Sequence, residues 1–266
     1  LDELGLRGPG DVAVGARGSG AHRGRRVLEE LLERALRGEA LFEFEPVTDE
    51  WGTWITAWVP LHRPDGSVDV LSTHEQILGG PSGQTYLGCC FPAEDPYRLE
   101  LMRHGQAVGE ALAAEGALER YAVDFIARRI NGNWDLQAIE INLRQGGTTH
   151  PYMALRAITW GQLDQHSGTF LSPTGQPLHY RATDNLTAPQ LRGLLPADLI
   201  DIVAEADLHY DPARLRGSVF HLLGCLSEFG KLGMTCVGRS ASEAEAVYRG
   251  TADGLIARAS DLQAQA

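Results

Sequence analysis

The segment AIEINLRQGGTTHP, residues 138–151, puts Glu140, Asn142 and Arg144 at every second position, with Ile139, Ile141 and Leu143 between them. A period of two marks a β-strand whose two faces see different surroundings. The aliphatic residues are expected to face a core, leaving an acid, an amide and a guanidinium on the other side. Upstream, RYAVDFIARRI (120–130) reads as a second strand, joined to the first through Asn131, Gly132 and Asn133. Asp124 stands between Val123 and Phe125, so it too faces away from the aliphatic side. Parity then constrains the hairpin. A two-residue Asn131-Gly132 turn with unbroken pairing sets Asp124 opposite Ile139. A loop of odd length, or a bulge, sets it opposite Glu140, and one of these two devices is expected.

Opposed residues in an antiparallel pair have Cβ atoms about 5 Å apart, so one divalent ion can touch both acids. Two carboxylates and an amide oxygen, without sulfur or clustered imidazole, suit a hard cation. Mg²⁺ takes one or two carboxylates and completes its shell with water and substrate phosphates. Asp124, Glu140 and Asn142 are therefore the expected metal ligands. Arg144, further along the same face, is the expected catalytic residue, suited to a transferring phosphoryl group or an anionic intermediate. Gly146 and Gly147 allow close backbone approach, and Thr148, Thr149 and His150 add hydrogen-bonding groups. The same residue pattern also fits a solvated strand face with a cross-strand ion pair.

The remaining composition is that of a soluble globular chain, 43% hydrophobic and 22% charged over 266 residues. A formal net charge of −12 repels nucleic-acid backbones, which makes nucleic acid an unexpected partner. It leaves room for a nucleotide neutralised by a bound cation. No apolar run approaches the roughly 20 residues that span a bilayer, so no membrane partner is expected. Four cysteines, Cys89 and Cys90 adjacent and Cys225 and Cys236 apart, fit a reducing, cytoplasmic setting. The chain starts at Leu1 and opens on a stretch rich in Gly and Arg, with Lys231 its single lysine. A fragment beginning partway through a longer protein is expected.

Residues 25–38 carry Val27, Leu28, Leu31, Leu32 and Leu36 at helical spacing. ALFEFEP (40–46) alternates as a short strand. Residues 51–62 and 67–75 flank a turn at Arg63–Gly66, a hairpin pattern. TYLGCCF (85–91) is an apolar strand, and residues 95–116 a helix ended by Gly116. Residues 153–163 read as helical, and the texture loosens from about residue 168. SVFHLLGCLSE (218–228) and LGMTCVG (232–238) read as strands, and Ser240 with Glu243 caps a terminal helix. Strand neighbours look like hairpins, so the fold class is α+β with a largely antiparallel sheet flanked by helices. The expected divisions are an amino-terminal segment over 1–40, a central subdomain over 41–165 and a small α+β domain over 166–266.

VDF followed by AIEINLRQGGTTHP resembles the metal-binding end of the ATP-grasp carboxylate–amine ligases, with Asp on one strand and Glu-x-Asn on the next. LSTHEQILGGPSGQTYLGCCFPA, RYAVDFIARR, EINLRQGGTTHP, RATDNL and FHLLGCLSEFGKLGMTCVG resemble, more closely, the pheganomycin-type peptide ligases, from about residue 50 to 250. The resemblance implies an ATP-grasp core with a characteristic carboxy-terminal domain. It implies ATP and Mg²⁺ as cofactors, with small carboxylate and amine or peptide substrates. Phosphorylation of the carboxylate would give an acyl phosphate, which the amine attacks. By position, Asp124, Glu140 and Asn142 would hold Mg²⁺ against the phosphates, Arg144 would stabilise the transferring group, and Gly146, Gly147, Thr148 and His150 would approach the nucleotide. Glu43 or Glu45, on the strand where the family has its interdomain hinge, would contact the adenosine.

Departures from the family pattern are confined to the amino-terminal half. No lysine precedes Lys231, and GARGSGAHRG (15–24) is at best a diverged version of the glycine-rich phosphate loop, off the dinucleotide spacing and following no clear strand. Three readings follow: a ligase, a nucleotide-binding remnant or partner subunit, and a Mg²⁺-dependent phosphohydrolase. Cys89 or Cys90 with His104 is read as inert, Ser82 lacks nucleophile-elbow spacing, and His74 and Gln76 are read either as lining the cleft or as anchoring a loop. His221 is read as a satisfied core histidine and Lys231 as a solvated turn residue.

Overall fold

A computed structural model describes residues 67–265 apart from 82, 84, 118 and 119, together with four short strands before them. The chain divides into two compact units, Leu1–His62 and Arg63–Ala266. In the first, β1 (Leu41–Phe42) pairs antiparallel with β4 (Ala57–Trp58), and β2 (Val47–Asp49) with β3 (Gly52–Trp54). The helix expected over 25–38, Glu43, Glu45, the turn at 63–66 and Ser82 lie outside the described residues.

The second unit is built on a seven-stranded antiparallel sheet. Its order runs β12 (Gly217–His221), β13 (Lys231–Gly238), β11 (Pro177–Thr187), β6 (Thr85–Phe91), β5 (Glu75–Gly79). The start of β11 also pairs with β10 (Phe170–Leu171), and β10 with β9 (Gln162–Leu163). Strands from both sides of residue 166 thus share one sheet. Strand β5 pairs with β6, and the first arm of the hairpin expected over 51–75 lies largely outside the described residues.

The loose texture expected from residue 168 is corrected by β11, the longest strand of this sheet and paired on both edges. Leu178, Tyr180 and Ala182 are at most 3% exposed. The polar residues between them do not reach solvent freely: Arg181 lies 3.5 Å from the Glu245 carboxylate and 4.4 Å over the Tyr248 ring.

Each sheet face has its own core. On one, Leu232, Met234 and Cys236 meet α3 (Pro196–Glu205) and α5 (Ala241–Gln265) through Leu199, Ile202, Val247 and Leu255. On the other, Cys89, Phe91, Tyr180 and Val237 meet Tyr152 and Leu155 of α2 (Thr149–Thr159). Phe91 stacks on Tyr180 at 5.0 Å and meets Tyr152 edge-on at 5.7 Å. Burying each such aliphatic or aromatic side chain contributes about 1.5–3 kcal/mol.

The helix ends follow their sequence signals. Ser240 Oγ accepts the Glu243 amide at 3.1 Å, while the Glu243 carboxylate accepts the Arg239 amide, one residue earlier than the expected box. Gly116 takes φ +86° just beyond α1 (Asp95–Ala114). α2 stops at Thr159, short of the expected 163, because Trp160 turns left-handed. The strand expected over 218–228 ends at His221. Leu222 takes φ +57°, and a short turn leads into α4 (Leu226–Phe229).

The hairpin stands apart as a two-stranded sheet of β7 (Ala122–Ile130) and β8 (Asn133–Asn142). Asn131 and Gly132 take φ +51° and +87°, the primed turn that suits strand twist. α1 covers one side, with Tyr97 edge-on to Trp134 at 4.7 Å and His104 beside Phe125 at 6.2 Å. The expectation that Ile139, Ile141 and Leu143 face a core is corrected. They are 59%, 46% and 56% exposed, because α1 covers the Phe125–Trp134 end and stops short of them.

The described part is therefore α+β, with a mostly antiparallel sheet between helices. None of its helices is long and apolar enough to cross a membrane. All four cysteines are free. Burial pushes the Cys89 and Cys236 thiols up to about 12, as expected of inert cysteines.

Candidate functional site

A bulge decides the site. The turn between β7 and β8 has two residues, and parity alone would place Asp124 opposite Ile139. Instead the register shifts between Asp124 and Phe125: Phe125 pairs with Ala138, Ile139 is the extra residue, and Asp124 pairs with Glu140. Ala122 then pairs with Asn142. Asp124, Glu140 and Asn142 thus share one face.

Asp124 is the hub. Its Oδ2 accepts from Asn142 Nδ2 at 3.2 Å, and its Oδ1 from Gln76 Nε2 on β5 at 3.0 Å. Burial first, and then the Glu140 charge, lift its carboxyl above the ordinary range, against those two hydrogen bonds and the nearby Arg144 charge. Glu140 and Arg144 are exposed. The Asp124 and Glu140 carboxylates oppose one another across the pair with the Asn142 amide alongside, a donor set that fits a hard divalent ion, which would offset the Coulombic cause of the shift. A half-turn of the Asn142 amide presents Oδ1 in place of Nδ2. No group of three or more His, Cys, Asp or Glu side chains converges on a metal position among the described residues. The set is two acids and an amide.

The chain then bends into α2. The Arg144 amide donates to Asn142 O at 2.7 Å, and Gly146 N to Thr149 Oγ1 at 3.1 Å. Thr148 occupies the cap position, and its hydroxyl makes no capping bond. Gly147 lies flat on the Tyr86 ring, and a Cβ there would come within 2.7 Å of it. His150 packs against His221, with ring centroids 4.3 Å apart.

That last contact escaped sequence reasoning. His221 sits at the end of β12 with its ring over Gly233, where a side chain would collide with it. Its Nδ1 is buried without a hydrogen-bond partner, so it is not the satisfied core histidine expected. Burial and the neighbouring His150 draw its pKa down to about 4. His74, read either as cleft-lining or as an anchor, is bound into the core. It bonds to the Tyr180 hydroxyl at 2.6 Å, and burial lowers it to about 3. Gln76 does reach the site, through Asp124. Nothing local to Gln76, Tyr86 or His221 signals these roles, since each depends on a strand distant in sequence.

Residues 198–251, which span α3, β12, α4, β13 and the first part of α5, match the family described as PGM1 C-terminal domain. The chain is 30% identical over 185 residues to the L-propargylglycine--L-glutamate ligase of Streptantibioticus cattleyicolor, a match covering 70% of this chain and 37% of that protein. No solved structure matches. On these two matches the chain belongs to the pheganomycin-type ligase family.

Proposed function

We propose that this chain supplies the metal- and phosphate-binding face of an ATP-dependent ligase with an ATP-grasp core, joining a carboxylate to an amine through an acyl phosphate. The bulge that sets Asp124 opposite Glu140, with Asn142 alongside, carries the reading. Asp124, Glu140 and Asn142 would hold Mg²⁺, which when bound orients the ATP phosphates and offsets their charge. Arg144 leaves the same face and its charge reaches Asp124. It is suited to steady the phosphoryl group in flight and then the oxyanion formed by amine attack. Gly146, Gly147 and Thr148 lead into the first turn of α2, which carries His150 and whose amides favour an anion. The relative's name, which pairs two amino acids, makes amino acids the substrate class to test first.

Glu140→Gln is the direct test. Equilibrium dialysis with Mg²⁺ and ATP is expected to show a loss of affinity of about 10–100-fold, the scale for a disturbed metal site. Unchanged affinity would refute the metal assignment. Ligase chemistry has a separate signature, oxygen-isotope exchange between a substrate carboxylate and ATP phosphate. A second reading to be separated from it is nucleotide binding without turnover. Tight Mg²⁺–ATP binding without carboxylate-dependent exchange would establish that reading.

A further inference from the structure

Three consecutive side chains at the start of β5 reach three different parts of the molecule. His74, just before the strand, bonds to Tyr180 in the core at 2.6 Å. Glu75 Oε1 accepts from the Tyr97 hydroxyl at 2.8 Å and from the Glu94 amide at 3.1 Å, which ties the strand to the start of α1. Gln76 Nε2 donates to Asp124 Oδ1 at 3.0 Å. Gln76 pairs with Cys89 of β6, a member of the core that meets α2, so its side chain leaves the sheet on the α2 face. Strand β5 and the hairpin belong to different sheets, so this bond joins them through side chains, without backbone pairing to set it.

Asp124 has two oxygens, and each takes one amide donor. The two bonds look alike in the metal-free chain but cannot share one fate. Asn142 can offer Oδ1 to a cation only by turning its Nδ2 away from Asp124 Oδ2. Gln76 has no such conflict. Its amide can stay on Oδ1 while Oδ2 becomes free. A ligating carboxylate held by a hydrogen bond on its other side is the usual supporting arrangement of metal sites. The anchors at His74 and Glu75 fix the strand on either side of the core, so Gln76 orients the carboxylate before any cation arrives.

We infer that Gln76 is a positioning residue of the proposed metal site: it holds Asp124 by Oδ1 and so leaves Oδ2 as the oxygen for the cation. This role rests on the reading of Asp124, Glu140 and Asn142 as metal ligands. It deepens that reading by giving the edge of the large sheet control over a carboxylate on the hairpin.

The test uses the full chain. Gln76→Met keeps the length of the side chain and removes the donor. Equilibrium dialysis is expected to show Mg²⁺–ATP binding weakened about ten-fold, the lower end for a lost hydrogen bond to a ligating group, with an unchanged urea midpoint. Proton–nitrogen NMR of the side-chain amides gives a readout that a merely structural role would not move. The Gln76 and Asn142 pairs are identified by their disappearance in Gln76→Met and Asn142→Ala. In the metal-free chain each should show one proton shifted downfield by the Asp124 carboxylate. Adding Mg²⁺ and ATP should release the Asn142 proton and leave the Gln76 proton shifted. A wild-type chain that does not bind Mg²⁺–ATP sinks the ligase reading and this role with it. Wild-type binding that ignores Gln76→Met, or a Gln76 proton released together with that of Asn142, overturns the positioning role alone. So does a fall in the urea midpoint that accompanies the lost affinity while the amide spectrum ignores the metal, which would make Gln76 a structural tie.

Discussion

The hairpin β7–β8 and the seven-stranded sheet place charged residues in opposite physical settings. On the hairpin, the face bearing Glu140 is open to water and its aliphatic reverse is only partly covered by α1. On the sheet, a core lines each face of the central strands, and a polar group there finds a partner, as Arg181 does with Glu245. Chemistry on the hairpin can therefore vary at little structural cost, whereas between the two cores of the sheet a charge needs a partner.

Core truncation should break the symmetry between the two most sharply. Leu232→Ala or Leu255→Ala removes a side chain with no exposed surface from the α3–α5 face. Such a cavity costs about 2–5 kcal/mol. Ile139→Ala, in the bulge, deletes a side chain that is 59% exposed and should cost at most about 0.5 kcal/mol, as a surface change. Urea denaturation of the three variants tests the contrast. Comparable losses at 139 and 232 would mean that the hairpin's aliphatic side is covered in solution.

Acid should reveal the same division more gently. The folded pKa of His74 lies near 3, against 6.5 for the free group, and that of His221 near 4. The sign follows from proton counting. Above about pH 6.5 both states hold these rings neutral, so neither adds a pH dependence. Below it the unfolded chain takes up protons that the folded chain refuses, and stability falls until the folded pKa is reached. His74→Gln should flatten the fall of the melting temperature between pH 6.5 and 4, measured by scanning calorimetry against wild type. An unchanged slope would place the proton uptake elsewhere.

What the sequence disclosed divides along the same line. The hairpin was legible because one solvated face leaves a clean alternation, and parity showed that the pairing needs either an odd loop or a bulge. The bulge at Ile139 is what the structure shows. Strand β11 was not legible. Buried on both faces, opening on Pro177 and interrupted by Asp184-Asn185, it lacks the period that betrays a half-exposed strand. Helix α3, with Pro196 at its start and Asp198 accepting the Leu195 amide, carried signals that went unread beside the looser flanks. His221 could not be placed from sequence, because its neighbour His150 is 71 positions away and joined to it only through the sheet.

The smallest effect tests the hub of the hairpin. Asp124 carries a raised carboxyl pKa, so its charged form is held at a disadvantage in the folded chain by burial and by Glu140. Asp124→Asn removes that disadvantage and preserves the side-chain shape. It should therefore stabilise the metal-free chain above pH 5 by about 0.5 kcal/mol, the scale of one like-charge cross-strand pair. The gain should shrink at lower pH, where the wild-type carboxyl is itself protonated. The same variant should weaken Mg²⁺–ATP binding in the dialysis experiment. A variant that loses stability at neutral pH would show instead that the bonds from Gln76 and Asn142 outweigh the repulsion, making Asp124 a structural clamp between β5 and β8.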